Sequence, residues 1–306
     1  MTTVERVVTS VSSVPLHTPF VTALRRTETT DTVIVRVTDS DGRTGWGEAP
    51  QVWQVTGESL ASATACIEQM LAPAVVGRPL DDRDDLSAAA AAVQRAVARN
   101  FGAKAAVDAA LHDLVAQAEG TSVATLLGSG ADGIRDVLTT DVTLSAGAAG
   151  ALADTARARV SEGFRTLKMK VGTDASTDVQ RVASVRDAVG PDVAIRLDAN
   201  QGWTREEAVQ VIRALEVADL GVELVEQPVV ADDVEGLAWV RERVGLPVMA
   251  DEALYSLVDL DKLEKLYLGE VKGNQKTFLE SLRAVGVNAS TTGNGEGTFT
   301  LRVLGN

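Results

Sequence analysis

From about Asp136 onward, short β-rich runs alternate with amphipathic helical runs, and each pair takes up roughly 25–30 residues. Few folds accept that rhythm, because parallel strands need long crossovers and an alternation of this length supplies them as helices. The strands are predicted at Val137–Leu144, Thr166–Val171, Val193–Asn200, Val222–Pro228 and Pro247–Ala253, with weaker ones at Gly269–Gly273 and Val287–Thr291. The intervening helices fall near 149–162, 177–189, 204–218, 233–243, 257–267 and 277–285. Acidic and polar residues collect at the C-terminal ends of these strands, where a parallel barrel places its active site. The chain is therefore read as α/β, with a TIM-like (β/α) barrel. A full barrel takes about 200–250 residues, whereas 136–306 holds 171. It is predicted to be incomplete at its C-terminal end, short by one or two βα units, and atypical after about 270.

The N-terminal part reads differently. Val4–Val14 and Thr32–Thr38 are β-rich, and Asp39-Ser40-Asp41-Gly42 makes a turn before Trp46, which predicts an antiparallel meander. From Glu58 to about Gly120 the pattern is helical and rich in Ala, Leu and Val. An α+β domain over 1–125 and a barrel domain over 126–306 follow.

Three acids end successive predicted strands: Asp198 in RLDAN, Glu226 in LVEQP and Asp251 in MADEA, 28 and 25 residues apart. One βα unit separates each pair, so a barrel points all three into one mouth. One such acid could simply cap the helix that follows it. Three at matching register repel one another unless a cation neutralises them, and hard oxygen ligands suit Mg2+, or Mn2+ as the alternative. With two histidines and one cysteine in the chain, there is little material for any other metal site.

Lys168 and Lys170 lie two apart on the second barrel strand and so share a face. Crowded ammonium groups are expected to depress each other's pKa, which suits a general base. Lys272, in GEVKGNQK near the sixth strand, is the candidate for a second base on the opposite face of a bound carbon acid, with Lys276 as its competitor. Two opposed bases mean racemisation or epimerisation. Asn200 shares the face of Asp198, Glu252 is expected to point outward, and Arg25 and Arg26 lie in a segment between the first strands from which an arginine could clamp a substrate carboxylate.

These residues, with GWGEAP (45–50), AKAAVDAALHDL (103–114), TLKMKVG (166–172), RLDANQGW (196–203), LVEQPV (224–229) and MADEAL (249–254), resemble the enolase superfamily in its muconate-lactonising branch, over roughly four-fifths of the chain. The resemblance implies an α+β capping domain over the barrel and Mg2+ on Asp198, Glu226 and Asp251. It also implies Lys170 as acid/base with Lys168 beside it, and a metal-stabilised enediolate formed when the α-proton leaves. Within that branch, PLHTPFVTALRRTE followed by VTGES looks most like the dipeptide epimerases. The implied activity is an isomerase acting on dipeptides such as L-Ala-L-Glu, with Arg25 or Arg26 on the distal carboxylate. N-acylamino acid racemases and o-succinylbenzoate synthases share the catalytic parts, and the atypical C-terminus adds a defective barrel as a further alternative. That ending has no counterpart of the eighth-strand acids that hold the α-ammonium in dipeptide epimerases.

A net charge of −14 repels phosphate backbones and anionic headgroups, which argues against nucleic-acid and membrane-surface partners. No apolar run approaches the ~20 residues of a membrane span, and MTTVERVV lacks the pattern of a secretory signal. A cytoplasmic enzyme with a small-molecule carboxylate substrate is expected. An open barrel edge predicts a homo-oligomer through strand pairing.

Overall fold

The computed structural model describes residues 1–128, 137–268, 289–293 and 299–303. They divide into two compact units, the first built on 1–18 and 28–128, the second on 19–27 and 137–268. Among the described residues no helix is long and apolar enough to cross a membrane.

The first unit opens with a three-stranded antiparallel sheet in the order β1 (Val4–Val21), β2 (Arg26–Asp39), β3 (Thr44–Pro50). The first two strands run longer than their β-rich cores suggest. β1 carries Pro15 and Pro19, which an edge strand tolerates because it need not donate on its free side. Arg25 and Arg26 therefore lie at the tip of a long hairpin, in and just after a four-residue turn, rather than in a loose segment between short strands. In the central strand Val33, Val35 and Val37 are fully buried at period two, while the residues between them are half-buried.

Helices α1 (Leu60–Cys66) and α2 (Ala72–Val75) flank one π-helical turn, Ile67–Leu71, so that Ile67, Leu71 and Val75 all reach the core. Next come α3 (Arg83–Ala96), capped by Asp82, then α4 (Phe101–Ala118) and α5 (Val123–Leu127). The long α4 lies against β3 with almost no side chain between the backbones. A Cβ on Gly45 would sit 2.1 Å from the Ala110 carbonyl oxygen, and one on Gly47 would sit 1.8 Å from that of Ala106. That approach is why GWGEAP faces an alanine-rich helix. Asn100 provides no side-chain cap for α4, so buried Glu58 accepts from the Gly102 and Ala103 amides instead, at 2.9 and 3.0 Å.

The second unit is a five-stranded parallel sheet in sequential order: β4 (Val142–Leu144), β5 (Thr166–Lys170), β6 (Ala194–Asp198), β7 (Val222–Glu226) and β8 (Val248–Met249). Each strand is followed by a helix: α6 (Ala149–Ser161), α7 (Ala175–Val189), α8 (Arg205–Val217), α9 (Val234–Arg241) and α10 (Leu257–Leu268). These are the βα units of a barrel. Leu167, Met169, Ile195, Leu197 and Val225, on the helix-facing side of the sheet, share one buried core with Val182, Val185, Ile212, Leu215 and Leu237 of the helices. β9 (Ala289–Gly293) and β10 (Phe299–Val303) form a separate antiparallel pair. The predicted strand at Gly269–Gly273, the helix near 277–285, Lys272 and Lys276 lie outside the described residues.

Candidate metal centre and active site

Strand register brings the predicted residues together. Lys170 on β5 stands opposite Asp198 on β6, and Asp198 stands opposite Glu226 on β7. Glu226 in turn stands opposite Met249 on β8, and Asp251 follows two residues later. Ligand oxygens of Asp198, Glu226 and Asp251 all lie within 4.8 Å of one another, with the first two carboxylates buried and the third exposed. Three hard oxygen donors at that spacing fit a divalent cation such as Mg2+ in a site left open to solvent on one side.

The two lysines close the other side. The Lys170 ammonium donates to Asp198 Oδ2 at 2.6 Å, and the Lys168 ammonium sits 2.9 Å from that oxygen and 2.7 Å from Glu226 Oε1. Their electrostatics run against the sequence expectation for Lys168. Burial pulls its ammonium pKa down, but Asp198 and Glu226 outweigh burial and raise it. The mutual lysine repulsion was the wrong interaction to weigh, because the carboxylates approach closer. Burial likewise pushes Asp198 up, and Lys170 and Lys168 together bring it below its ordinary range. Glu226 is pushed up to about 7, chiefly by burial and then by Asp198, with Lys168 opposing.

Around this cluster the loops after the strands are built from unusual backbone. Asn200 and Gln201 follow β6 with φ of 42° and 68°, a left-handed pair that folds the Asn200 amide onto Asp198 Oδ1 at 2.9 Å. Gly172 and Gly202 meet backbone to backbone, since a Cβ on either would lie 2.4 Å from a carbonyl oxygen. Buried Asp178 holds both loops, accepting from the Gly172 amide at 2.9 Å and the Trp203 indole at 3.0 Å.

Glu252 points inward, not outward. It is buried and accepts from the Asn200 amide nitrogen at 3.1 Å, and burial is the main cause raising its pKa. The turn after Met249 rotates consecutive residues, so strand alternation no longer applies and Asp251 and Glu252 both reach the mouth. Among the described residues Asn200 Oδ1 and Glu252 Oε2 are buried acceptors without a hydrogen-bond partner. A further element arrives from the hairpin tip. The Phe20 ring centroid lies 5.6 Å from the Lys170 ammonium, and the Ala146 amide donates to the Val21 carbonyl at 3.0 Å. No spacing rule reaches Phe20, whose only sequence signal is its place five residues before Arg25. At the same tip Arg25 is half-buried and Arg26 exposed.

A barrel mouth with paired lysines beside a three-carboxylate cluster defines a carbon-acid enzyme class, and comparison with known proteins agrees. Residues 4–128 match the model of the mandelate racemase / muconate lactonizing enzyme N-terminal domain, and residues 151–266 match that of the enolase C-terminal domain-like family. The chain is 41% identical over 283 residues to the L-Ala-D/L-Glu epimerase of Bacillus subtilis, covering 89% of this chain and 75% of that one. The solved substrate-liganded complex of that epimerase superposes with a TM-score of 0.81 at 41% identity, over 86% of this chain and 72% of the other. The dipeptide epimerase of Enterococcus faecalis complexed with Mg and L-Leu-L-Tyr gives a TM-score of 0.80 at 36% identity, again over 86% and 72%. The chain belongs to the enolase superfamily, in its mandelate racemase / muconate lactonizing enzyme branch, with an α+β capping domain and a (β/α) barrel.

Proposed function

We propose that this chain is a Mg2+-dependent dipeptide epimerase that removes and returns the α-proton of a dipeptide such as L-Ala-L-Glu. The observation that carries the reading is the single mouth shared by the carboxylates of Asp198, Glu226 and Asp251 and the ammonium groups of Lys168 and Lys170. A divalent cation on the three carboxylates would supply Lewis acidity to a substrate carboxylate and so acidify the adjacent C–H.

The chain's own residues do the rest. Lys170, whose strand position faces Asp198 at the mouth, is the group that accepts the α-proton on its side of the substrate. Lys168, between two of the ligands, orients the site and opposes the negative charge that develops. The acid/base for the opposite face is assigned from the sequence to Lys272, or its competitor Lys276, both outside the described residues. The proton taken on one face is matched by a proton given on the other, so the reaction is neutral in atoms and electrons. Asn200 Oδ1 and Glu252 Oε2, buried acceptors with no partner among the described residues, are suited to substrate N–H groups, and Arg25 or Arg26 takes the distal carboxylate.

The test is incorporation of deuterium at the α-carbon in heavy water, followed by NMR across a panel of L-L dipeptides with Mg2+ present. Exchange with inversion supports the reading. Exchange confined to N-acylamino acids would replace the dipeptide by an acylated substrate, and no exchange with any carbon acid would leave the defective barrel.

A further inference from the structure

Gln227 follows the metal-ligand candidate Glu226 and is fully buried. Its backbone adopts φ of 36°, a conformation sparsely populated by any residue with a Cβ, so the surrounding structure must hold it there. The reason lies in its contacts. The Gln227 carbonyl accepts from the Gln201 amide at 2.8 Å, and its own amide donates to the Met249 carbonyl at 2.8 Å. Its side-chain oxygen Oε1 accepts from the Asp251 amide at 2.8 Å and the Ala253 amide at 3.1 Å. Its side-chain nitrogen donates to the Val229 carbonyl at 2.9 Å. One residue thus ties together the turns that follow β6, β7 and β8, its backbone carbonyl holding the first and its side chain the other two.

Asp251 needs such a tie more than the other two. Asp198 and Glu226 close their strands and are fixed by the ladder, whereas Asp251, itself exposed, lies two residues beyond the last residue of β8. The two amides that Gln227 captures are Asp251's own and that of Ala253, so it fixes the backbone from which the Asp251 side chain leaves.

Resting on the metal-centre reading above, we infer that Gln227 is a positioning residue for the third carboxylate: it pre-forms the Asp251 corner of the cation site without touching the cation. The chemistry this predicts is specific. Partners that orient a ligand typically contribute 10- to 100-fold in metal affinity, and that factor should vanish when the ligand they orient is already gone.

The experiment is Mg2+ titration by calorimetry on the full chain. Gln227→Met keeps the length and removes the acceptor, while Gln227→Asn keeps an amide tolerant of positive φ and removes the reach. Both are expected to weaken Mg2+ about 10- to 100-fold. In an Asp251→Asn background Gln227→Met should cost no more than about twofold further, and in a Glu226→Gln background the full factor should return. Amide exchange at Asp251 and Ala253 should accelerate while the β6 amides keep their protection. Equal Mg2+ affinity in parent and variants would overturn the inference and leave the metal centre standing. An equal loss in both backgrounds would also overturn it, since that is the signature of general destabilisation. A parent that binds no Mg2+ would remove the metal centre and this inference with it.

Discussion

The seam between β3 and α4 and the mouth at the ends of β5–β8 are both buried, and they obey opposite rules. At the seam the backbones of Gly45 and Gly47 press on Ala110 and Ala106, so nothing can be added and little is there to remove. At the mouth the side chains are charged, and Lys168, Lys170, Asp198 and Glu226 each have a partner of opposite sign within 3 Å. One region is limited by volume and the other by charge balance. A chain can thus lose its fold at the seam with every catalytic group intact, and lose its chemistry at the mouth with the fold intact.

Removing the base should show the largest effect. Lys170→Ala is expected to lower α-proton exchange by ~10²–10⁴-fold while thermal unfolding stays cooperative, because Lys168 still faces Asp198 at 2.9 Å; full activity would reassign the base. The matching change at the seam is Gly47→Ala, where the new methyl meets a backbone oxygen at 1.8 Å. It should cost about 3 kcal/mol or more in denaturant unfolding, and a neutral result would mean that β3 can slide off α4.

A third measurement addresses charge balance directly. Glu226 has its pKa raised to about 7 in the metal-free fold, above the ordinary value of about 4.3. A raised carboxyl favours the folded state when protonated, so its contribution is full below about pH 4.3 and is lost as pH rises to 7. Cation binding requires the ionised form. The rise in Tm produced by saturating Mg2+ should therefore be larger at pH 8 than at pH 5.5, and a pH-independent rise would show that Glu226 is not a ligand. The smallest effect is expected on the exposed face of α10, where Lys265 pairs with Asp261 at 2.6 Å. Lys265→Gln should change stability by less than about 0.5 kcal/mol, which sets the baseline against which the buried pairs are judged.

Much of this was legible before any coordinates. The βα rhythm located β5 to β8, and the acids at their ends share one mouth as their spacing required. The hairpin was underestimated because an edge strand accepts Pro15 and Pro19, which interrupt the local pattern without ending the strand. Strand alternation carried past Met249 predicts an outward Glu252, but the chain turns there. Alternation also shows that the two lysines share a face, but not what stands opposite Lys170 at 2.6 Å. Gln227 gave no signal beyond its place after Glu226, because its importance rests on two amides more than twenty residues later in the chain.

The sequence by itself determined the barrel units, the alternation of faces and the acids at or just beyond the ends of three successive strands, because periodicity and strand length are local properties. Only the tertiary structure decided which ammonium neutralises which carboxylate, which way Glu252 turns and what holds Asp251 in place. Those outcomes depend on distances of about 3 Å between groups on different strands, where burial magnifies every charge and leaves no solvent to make up for a missing partner.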